Sequence, residues 1–402
     1  MWRRVEVAES RASLRKTVAA FGARYPEIDC VRAAVSPVAL AAAEDRAARV
    51  GVGADRALIA SGAIDEETYT RALADHIGSR FEPLDNIPRH QCTLSDERLI
   101  EAAAAGLVPV GHGHEPMLVV APRHAAARRL MQFAVRAPAL SQRFQFTMTE
   151  RLNRFVLRHA GAVLSERATG LLGAVSPALS AAPPRRLGQM RLAIPVLAAG
   201  FALFLLAPAA TSLALEALLA LFFLAWLMLR LAGVAVRRAS LPPVPAGADD
   251  ELPVYTVIAA LYREARSVDK LLGAIDRLDY PPEKLDVILA IEVDDADTRA
   301  AIDARTSRRP LSVIVVPPGG PRTKPKALNV ALAFARGAYI VVYDAEDQPE
   351  PDQLRRALAA FAATDDRLAC VQARLSIDNT DDSLLTRGIM AQTPQEVSLQ
   401  CS

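Results

Sequence analysis

The chain has 402 residues, two to three times the length of an ordinary domain, so a single small module is excluded. A hydrophobic content of 51% and a mean hydropathy of +0.17 exclude disorder throughout. Forty-seven basic against 45 acidic residues leave a net charge of +2, too little to coat a nucleic-acid backbone, so nucleic acid is not an expected partner and basic chemistry must be local. The four cysteines, Cys30, Cys92, Cys370 and Cys401, have no short pair spacing, which suits neither a zinc ribbon nor a disulfide framework and points to a reducing compartment. Residues 1–10 mix Arg and Glu without an apolar core and are no ordinary cleaved secretory signal.

In chain order, residues 1–48 read as a helical extension and 49–140 as a small α+β domain. Within it, 57–62 and 64–78 predict two short helices, the second with apolar spacing at Tyr69, Leu73 and Ile77. Residues 107–109 and 117–121 predict strands joined through GHGHE, whose His112 and His114 lack the carboxylate or cysteine partners of a metal site. The Ala-rich stretches 102–105 and 125–130 read as amphipathic helices, and 141–190 as a helical linker.

Two apolar runs follow, 192–209 and 213–229, each near the minimum of about 17 residues for crossing hydrocarbon. Glu216 falls at the start of the second, at headgroup level. A turn at 208–212 would make 191–238 a transmembrane hairpin. Arg185, Arg186, Arg191, Arg230, Arg237 and Arg238 flank it, so both termini are expected to be cytoplasmic. A Pro-rich linker, 239–251, leads onward.

From 252 the pattern alternates. Apolar β-branched runs at 254–261, 285–293, 311–316 and 338–343 predict strands, and 267–278 predicts a helix through Val268, Leu271, Leu272 and Ile275. Such alternation argues for a parallel sheet covered on both faces, with ligands gathering beyond the carboxyl ends of the strands. Asp294 and Asp295 end the second strand, and Asp344-Ala345-Glu346-Asp347 the fourth. Closely spaced carboxylates on such turns can share a hard divalent cation with phosphate oxygens. Between them, PPGGPRTKPKALN (317–329) supplies Arg322, Lys324 and Lys326 ahead of a helix, a combination suited to clamping a pyrophosphate.

The ordered motifs ALYREA (260–265), IEVDD (291–295), KPKALN (324–329) and YDAEDQPEPDQL (343–354) resemble the donor-binding half of inverting glycosyltransferase family 2, the GT-A fold group that includes cellulose synthase-like membrane enzymes. The resemblance implies that Tyr262 and Glu264 line a nucleotide pocket and that Asp294 and Asp295 contact base or ribose. It places Lys324, Lys326 and Asn329 on the donor side, with Lys326 near the diphosphate. Asp344, Glu346 and Asp347 would share Mg²⁺ or Mn²⁺, Glu346 being a departure from the usual second Asp of the metal motif. The catalytic base of such enzymes lies in a second half. Here 55 residues follow Asp347, Asp378, Asp381 and Asp382 are weak stand-ins, and the two tryptophans, Trp2 and Trp226, exclude the Q-x-x-R-W motif of processive relatives. The ending 388–402 reads as that of an interrupted chain.

Residues 49–135 resemble the N-terminal domain of type II secretion ATPases, some members of which bind cyclic di-GMP. Arg49-Val50-Gly51 is similar to the opening of that binding motif, but a packing or docking role is expected. The expected molecule is α/β: a partial GT-A, Rossmann-like nucleotide-sugar domain (252–402) behind a membrane hairpin and an α+β module. It would sit multi-pass in a bacterial inner membrane, moving sugar from a nucleotide-diphosphate sugar to a polysaccharide or glycolipid acceptor. A non-catalytic membrane adaptor responsive to a cyclic dinucleotide is the alternative.

Overall fold

The computed structural model describes residues 25–111, 116–122, 126–137, 141–180, 187–235, 248–305, 311–364 and 368–373. The chain divides into two units, one of Met1–Gly170 with Pro245–Leu354, the other of Leu171–Val244 with Arg355–Ser402.

In the first unit, Ser36 caps α1 (Pro37–Val50) by accepting from Ala39 N at 3.3 Å, with Pro37 at the first turn and Gly51 ending the helix at φ 72°. Then come α2 (Ala54–Ala60) and α3 (Glu66–Ile77), the latter capped by Asp65 from Thr68 N at 2.8 Å. Ile28, Val31, Leu40 and Ala47 share one core with Leu58, Tyr69, Leu73 and Phe146, so residues 25–48 are part of the module rather than an extension to it.

A mixed sheet follows: β1 (Arg80–Phe81), β2 (Leu107–Val110), β3 (Met117–Val120) and β4 (Phe144–Phe146), in the order β1-β4-β3-β2. The expected hairpin is the antiparallel pair β2/β3, with Val108 opposite Val119. The residues at its tip, His112 and His114, lie outside the described residues. Helices α4 (Asp96–Ala105) and α5 (Ala126–Arg136) complete this layer, and α6 (Thr149–Val175) leaves it.

The region expected to be a linker therefore holds a sheet strand and a 27-residue helix. The spacing of Leu152, Phe155, Val156, Ala160, Leu164 and Ala168 gives α6 a long apolar stripe. That stripe is buried between Val108, Val110 and Val119 of the first sheet and Ile288, Ala290, Ile314 and Val316 of a second, in one continuous core.

In the second unit, α7 (Leu187–Leu206) and α8 (Pro208–Ala235) meet at Ala207, not at a turn over 208–212. Pro208 needs no N–H partner at a first helical turn, and the Thr211 hydroxyl donates to the Leu203 and Ala207 carbonyls at 3.1 and 2.9 Å, closing the junction. Pro208–Ala232 is the one helix among the described residues long and apolar enough to cross a membrane, and Ile194–Leu206 is a shorter apolar helix. Of the two expected spans, one helix among the described residues thus has the length and composition of a full span, and the two-helix hairpin is not confirmed.

Back in the first unit, the second sheet is fully parallel, in the order β7-β6-β5-β8: β5 (Tyr255–Leu261), β6 (Leu285–Glu292), β7 (Leu311–Val316) and β8 (Tyr339–Tyr343). These are the four predicted strands. Helices α9 (Val268–Asp276), α10 (Ala296–Asp303) and α11 (Lys324–Leu332) connect them; α12 (Gln353–Ala363) follows in sequence and belongs mostly to the second unit. Ile258, Ile288 and Ile314 face α6 and α11, while Val257, Leu261, Val287 and Leu289 are buried on the opposite face. Continuous apolar strands are what a sheet covered on both faces requires.

The amino ends of these strands carry a buried polar knot. Thr256 Oγ1 accepts from Arg336 N and Gly337 N at 3.1 and 2.7 Å and donates to Asp286, which is paired with Arg336. At the same end Arg46 of α1 grips Glu283 with two bonds of 2.9 and 3.1 Å.

Candidate donor site

Parallel pairing carries β5, β6 and β8 to their carboxyl ends on one edge, so the turns after them are neighbours. Tyr262, Arg263 and Glu264 follow β5, Asp294 and Asp295 follow β6, and Asp344 to Asp347 follow β8. The loop 317–323 leaves β7 and enters α11 in the same region.

Asp295 is 6% exposed, and its carboxylate is committed to backbone: it accepts from Arg263 N and caps α10 through Thr298 N at 3.2 Å. Burial pushes this carboxyl up, but the bonds from Arg263 and Thr298 outweigh it and hold the carboxyl below its ordinary value. Arg263 stands at φ 60°, a conformation uncommon for a side-chain-bearing residue, and Asp295 secures it. Glu264 is bound in the same corner, its N–H on Thr298 Oγ1 at 3.0 Å and its carboxylate on Ser267 at 3.1 Å. Tyr262 is exposed, with the Arg263 guanidinium 5.1 Å from its ring centre. Of the residues expected to line the nucleotide pocket or contact base or ribose, Tyr262 and Asp294 face solvent, whereas Glu264 and Asp295 shape the turn.

The basic loop links the acidic turns. Arg322 donates to Asp294 at 2.7 Å, and Lys324 donates to Asp344. Asp294, and after it Tyr262, raise the Arg322 guanidinium further above its ordinary value. Thr323 caps α11 by accepting from Lys326 N.

Lys326 and Asn329 point elsewhere than expected. The Lys326 ammonium, on a residue 2% exposed, turns inward to the carbonyls of Pro317 and Gly319, and Asn329 Nδ2 donates to the Ala168 carbonyl of α6 at 2.8 Å. Both support the loop from behind instead of facing its open side. Lys326 shares the inward face of α11 with Ala327, Val330 and Ala331.

In the turn after β8, Asp344 N donates to Asp347 Oδ2 at 2.8 Å, and Glu346 is exposed. Among the described residues no three His, Cys, Asp or Glu side chains form a ready cage for a metal. The donors are all carboxylate oxygens, and the cation resting on Asp344 is a lysine ammonium. This set fits a hard divalent ion whose coordination a phosphate ligand completes. Asp378, Asp381 and Asp382 fall outside the described residues. Arg49-Val50-Gly51 forms the end of α1, with Gly51 as its left-handed cap.

Acidic turns and a basic loop thus meet beyond the carboxyl ends of a parallel α/β sheet, where such folds gather their ligands. Residues 256–398 match the family model Glycosyl transferase family 2, and this stretch is a glycosyl transferase family 2 domain. The chain is 28% identical over 145 residues to a probable glycosyltransferase, YdaM, of Bacillus subtilis, covering 36% of this chain and 34% of that protein. It is 29% identical to a beta-monoglucosyldiacylglycerol synthase of Synechocystis over 40% of this chain and 33% of that one. It is 31% identical to glucomannan 4-beta-mannosyltransferase 2 of Arabidopsis thaliana over 36% and 29%. The chain thus spans about a third of the length of these curated relatives. The mannosyltransferase PcManGT from Pyrobaculum calidifontis, solved with GDP-Man and Mn²⁺, overlaps at 24% identity, 38% of this chain, 43% of that chain and a TM-score of 0.31, too slight a likeness to carry weight.

Proposed function

We propose that this chain is an inverting glycosyltransferase, or the donor-binding portion of one, that takes sugar from a nucleotide-diphosphate sugar and delivers it to a polysaccharide or glycolipid acceptor. The observation that carries this reading is the bridge of Arg322 to Asp294 and Lys324 to Asp344, at the ends of the two strands that flank β5, inside a glycosyl transferase family 2 domain. Asp344, with Asp347 and Glu346, would hold Mg²⁺ or Mn²⁺, which when bound neutralises the charge developing on the departing nucleoside diphosphate. Arg322 and Lys324 bring positive charge to the same edge, and Tyr262 offers an exposed ring on which a base can stack. The apolar, solvent-exposed α8 supports anchorage in a bilayer, and the flanking arginines support a bacterial inner-membrane chain with both termini cytoplasmic.

Calorimetry on the full chain with GDP and UDP, with and without Mn²⁺, tests the reading. Mn²⁺-dependent binding that Asp344→Ala abolishes is the expected result. Equal heats in both proteins, or no binding by wild type, would overturn it.

A further inference from the structure

One face of α6 runs directly behind the basic loop. Gly161, Ser165 and Thr169 recur every four residues, and Ala168 is beside them. Each meets a different point of the loop or its helix. A Cβ on Gly161 would come 3.1 and 3.2 Å from Pro317 Cγ and Cβ, so the absence of a side chain lets the proline close against the helix. Ser165 donates its hydroxyl to the Gly319 carbonyl at 3.3 Å. Thr169 Oγ1 stands 3.0 Å from where a Cβ on Gly320 would lie, and Gly320 is at φ 64°. The Ala168 carbonyl holds Asn329, one turn into α11. From the sheet side Lys326 takes the carbonyls of Pro317 and Gly319, so the loop is fixed from two directions. Past this clamp the chain presents Arg322 and Lys324 to Asp294 and Asp344.

We infer that α6 is a positioning element of the donor site: the N-terminal module presets the phosphate-facing loop through Gly161, Ser165 and the Ala168 carbonyl. The inference rests on the nucleotide-sugar reading of the site. It makes Ser165 and Asn329 positioning residues, and it gives the module a role in donor affinity distinct from docking. Anything that shifts α6 along its axis would move the loop and alter the grip on a diphosphate. The i,i+4 spacing makes that coupling continuous along two turns of one rigid helix.

The test uses the full chain in detergent, with Ser165→Ala, Ser165→Thr, Gly161→Val and Asn329→Ala. Arg151→Ala, on the same helix but paired with Asp85 and Glu67 of the N-terminal module, is the control. Two quantities are read: amide hydrogen exchange over 317–323, and affinity for GDP or UDP with Mn²⁺. Gly161→Val and Asn329→Ala are expected to speed loop exchange at least tenfold and weaken nucleotide binding several-fold, in proteins that still melt cooperatively. Ser165→Ala should do so more mildly, and Ser165→Thr, which keeps the hydroxyl, should restore wild-type values. Arg151→Ala should alter neither quantity. Folded α6 variants with wild-type exchange and affinity, in a protein whose binding Asp344→Ala abolishes, would overturn the inference alone. Failure of wild type itself to bind either nucleotide would overturn the donor reading and this inference with it.

Discussion

The Lys324 ammonium rests on the Asp344 carboxylate, joining the first residue of α11 to the turn after β8. A side-chain cation thereby occupies a carboxylate that the proposed chemistry assigns to a divalent ion. Both groups are about half exposed, so the pair is weak and can exchange.

Lys324→Ala should therefore bind Mn²⁺ alone about two- to five-fold more tightly than wild type, since a competing charge is gone. The same variant should bind GDP or UDP with Mn²⁺ more weakly, because the loop has lost a cation. Titration by Mn²⁺ electron paramagnetic resonance separates the two effects. Unchanged Mn²⁺ affinity would show that the pair does not compete with metal.

Asp295→Ala should destabilise the first unit by about 1–3 kcal/mol, through loss of the α10 cap and of the partner of Arg263 N. Because the folded carboxyl lies below its ordinary value of 3.8, its contribution is fully present above that value and disappears as pH falls through the lower folded one. Acid denaturation followed by circular dichroism should show wild type losing this increment and the variant lacking it from the start.

Asp55 gives the opposite sign. It is 3% exposed, its Oδ1 has no hydrogen-bond partner, and burial pushes its carboxyl up to about 7. The neutral form suits the fold, so stability is greatest below the unfolded value of 3.8, declines as pH rises, and levels off above about 7. Asp55→Asn should flatten that slope. Melting temperatures measured from pH 4 to 8 check it, and parallel curves for the two proteins would contradict it.

Gly337→Ala should be among the most damaging single-methyl changes in the chain. A Cβ there would fall 2.4 Å from Thr256 N and 2.7 Å from Tyr339 O, both backbone atoms of paired strands. Overpacking against backbone that cannot yield costs about 1–3 kcal/mol or more. Urea denaturation gives the value, and a loss below about 0.5 kcal/mol would mean that β5 and β8 part easily.

The sequence made much of this legible. The β-branched runs marked all four parallel strands, and parallel topology alone brought Asp294 and Asp344 to one edge. The roles of single side chains were harder to see. Asp295 sits beside Asp294 in sequence, yet besides capping α10 it accepts from Arg263 N, a donor that only the close approach of β5 and β6 supplies. Lys326 follows Lys324 and Pro325, which read as a charged loop, and its inward turn follows from sharing a helix face with Val330. That signal was present in the helical spacing. The burial of α6 was hidden for another reason: its stripe of Leu152, Phe155 and Val156 shows that a face is apolar, but not that two sheets meet it.

That shared burial bears on how the molecule can be dissected. A fragment starting at 252 would bare Ile288, Ile314 and Phe334 along the surface that α6 covers, and would leave Asn329 and the Gly319 carbonyl without their partners. The long helix belongs to both sheets at once, so the natural cutting point is not the proline-rich stretch before β5. A minimal expression unit for the sugar-handling fold must carry residues 149–170 along with it, and grafting that fold onto a foreign anchor would require transplanting the helix as well.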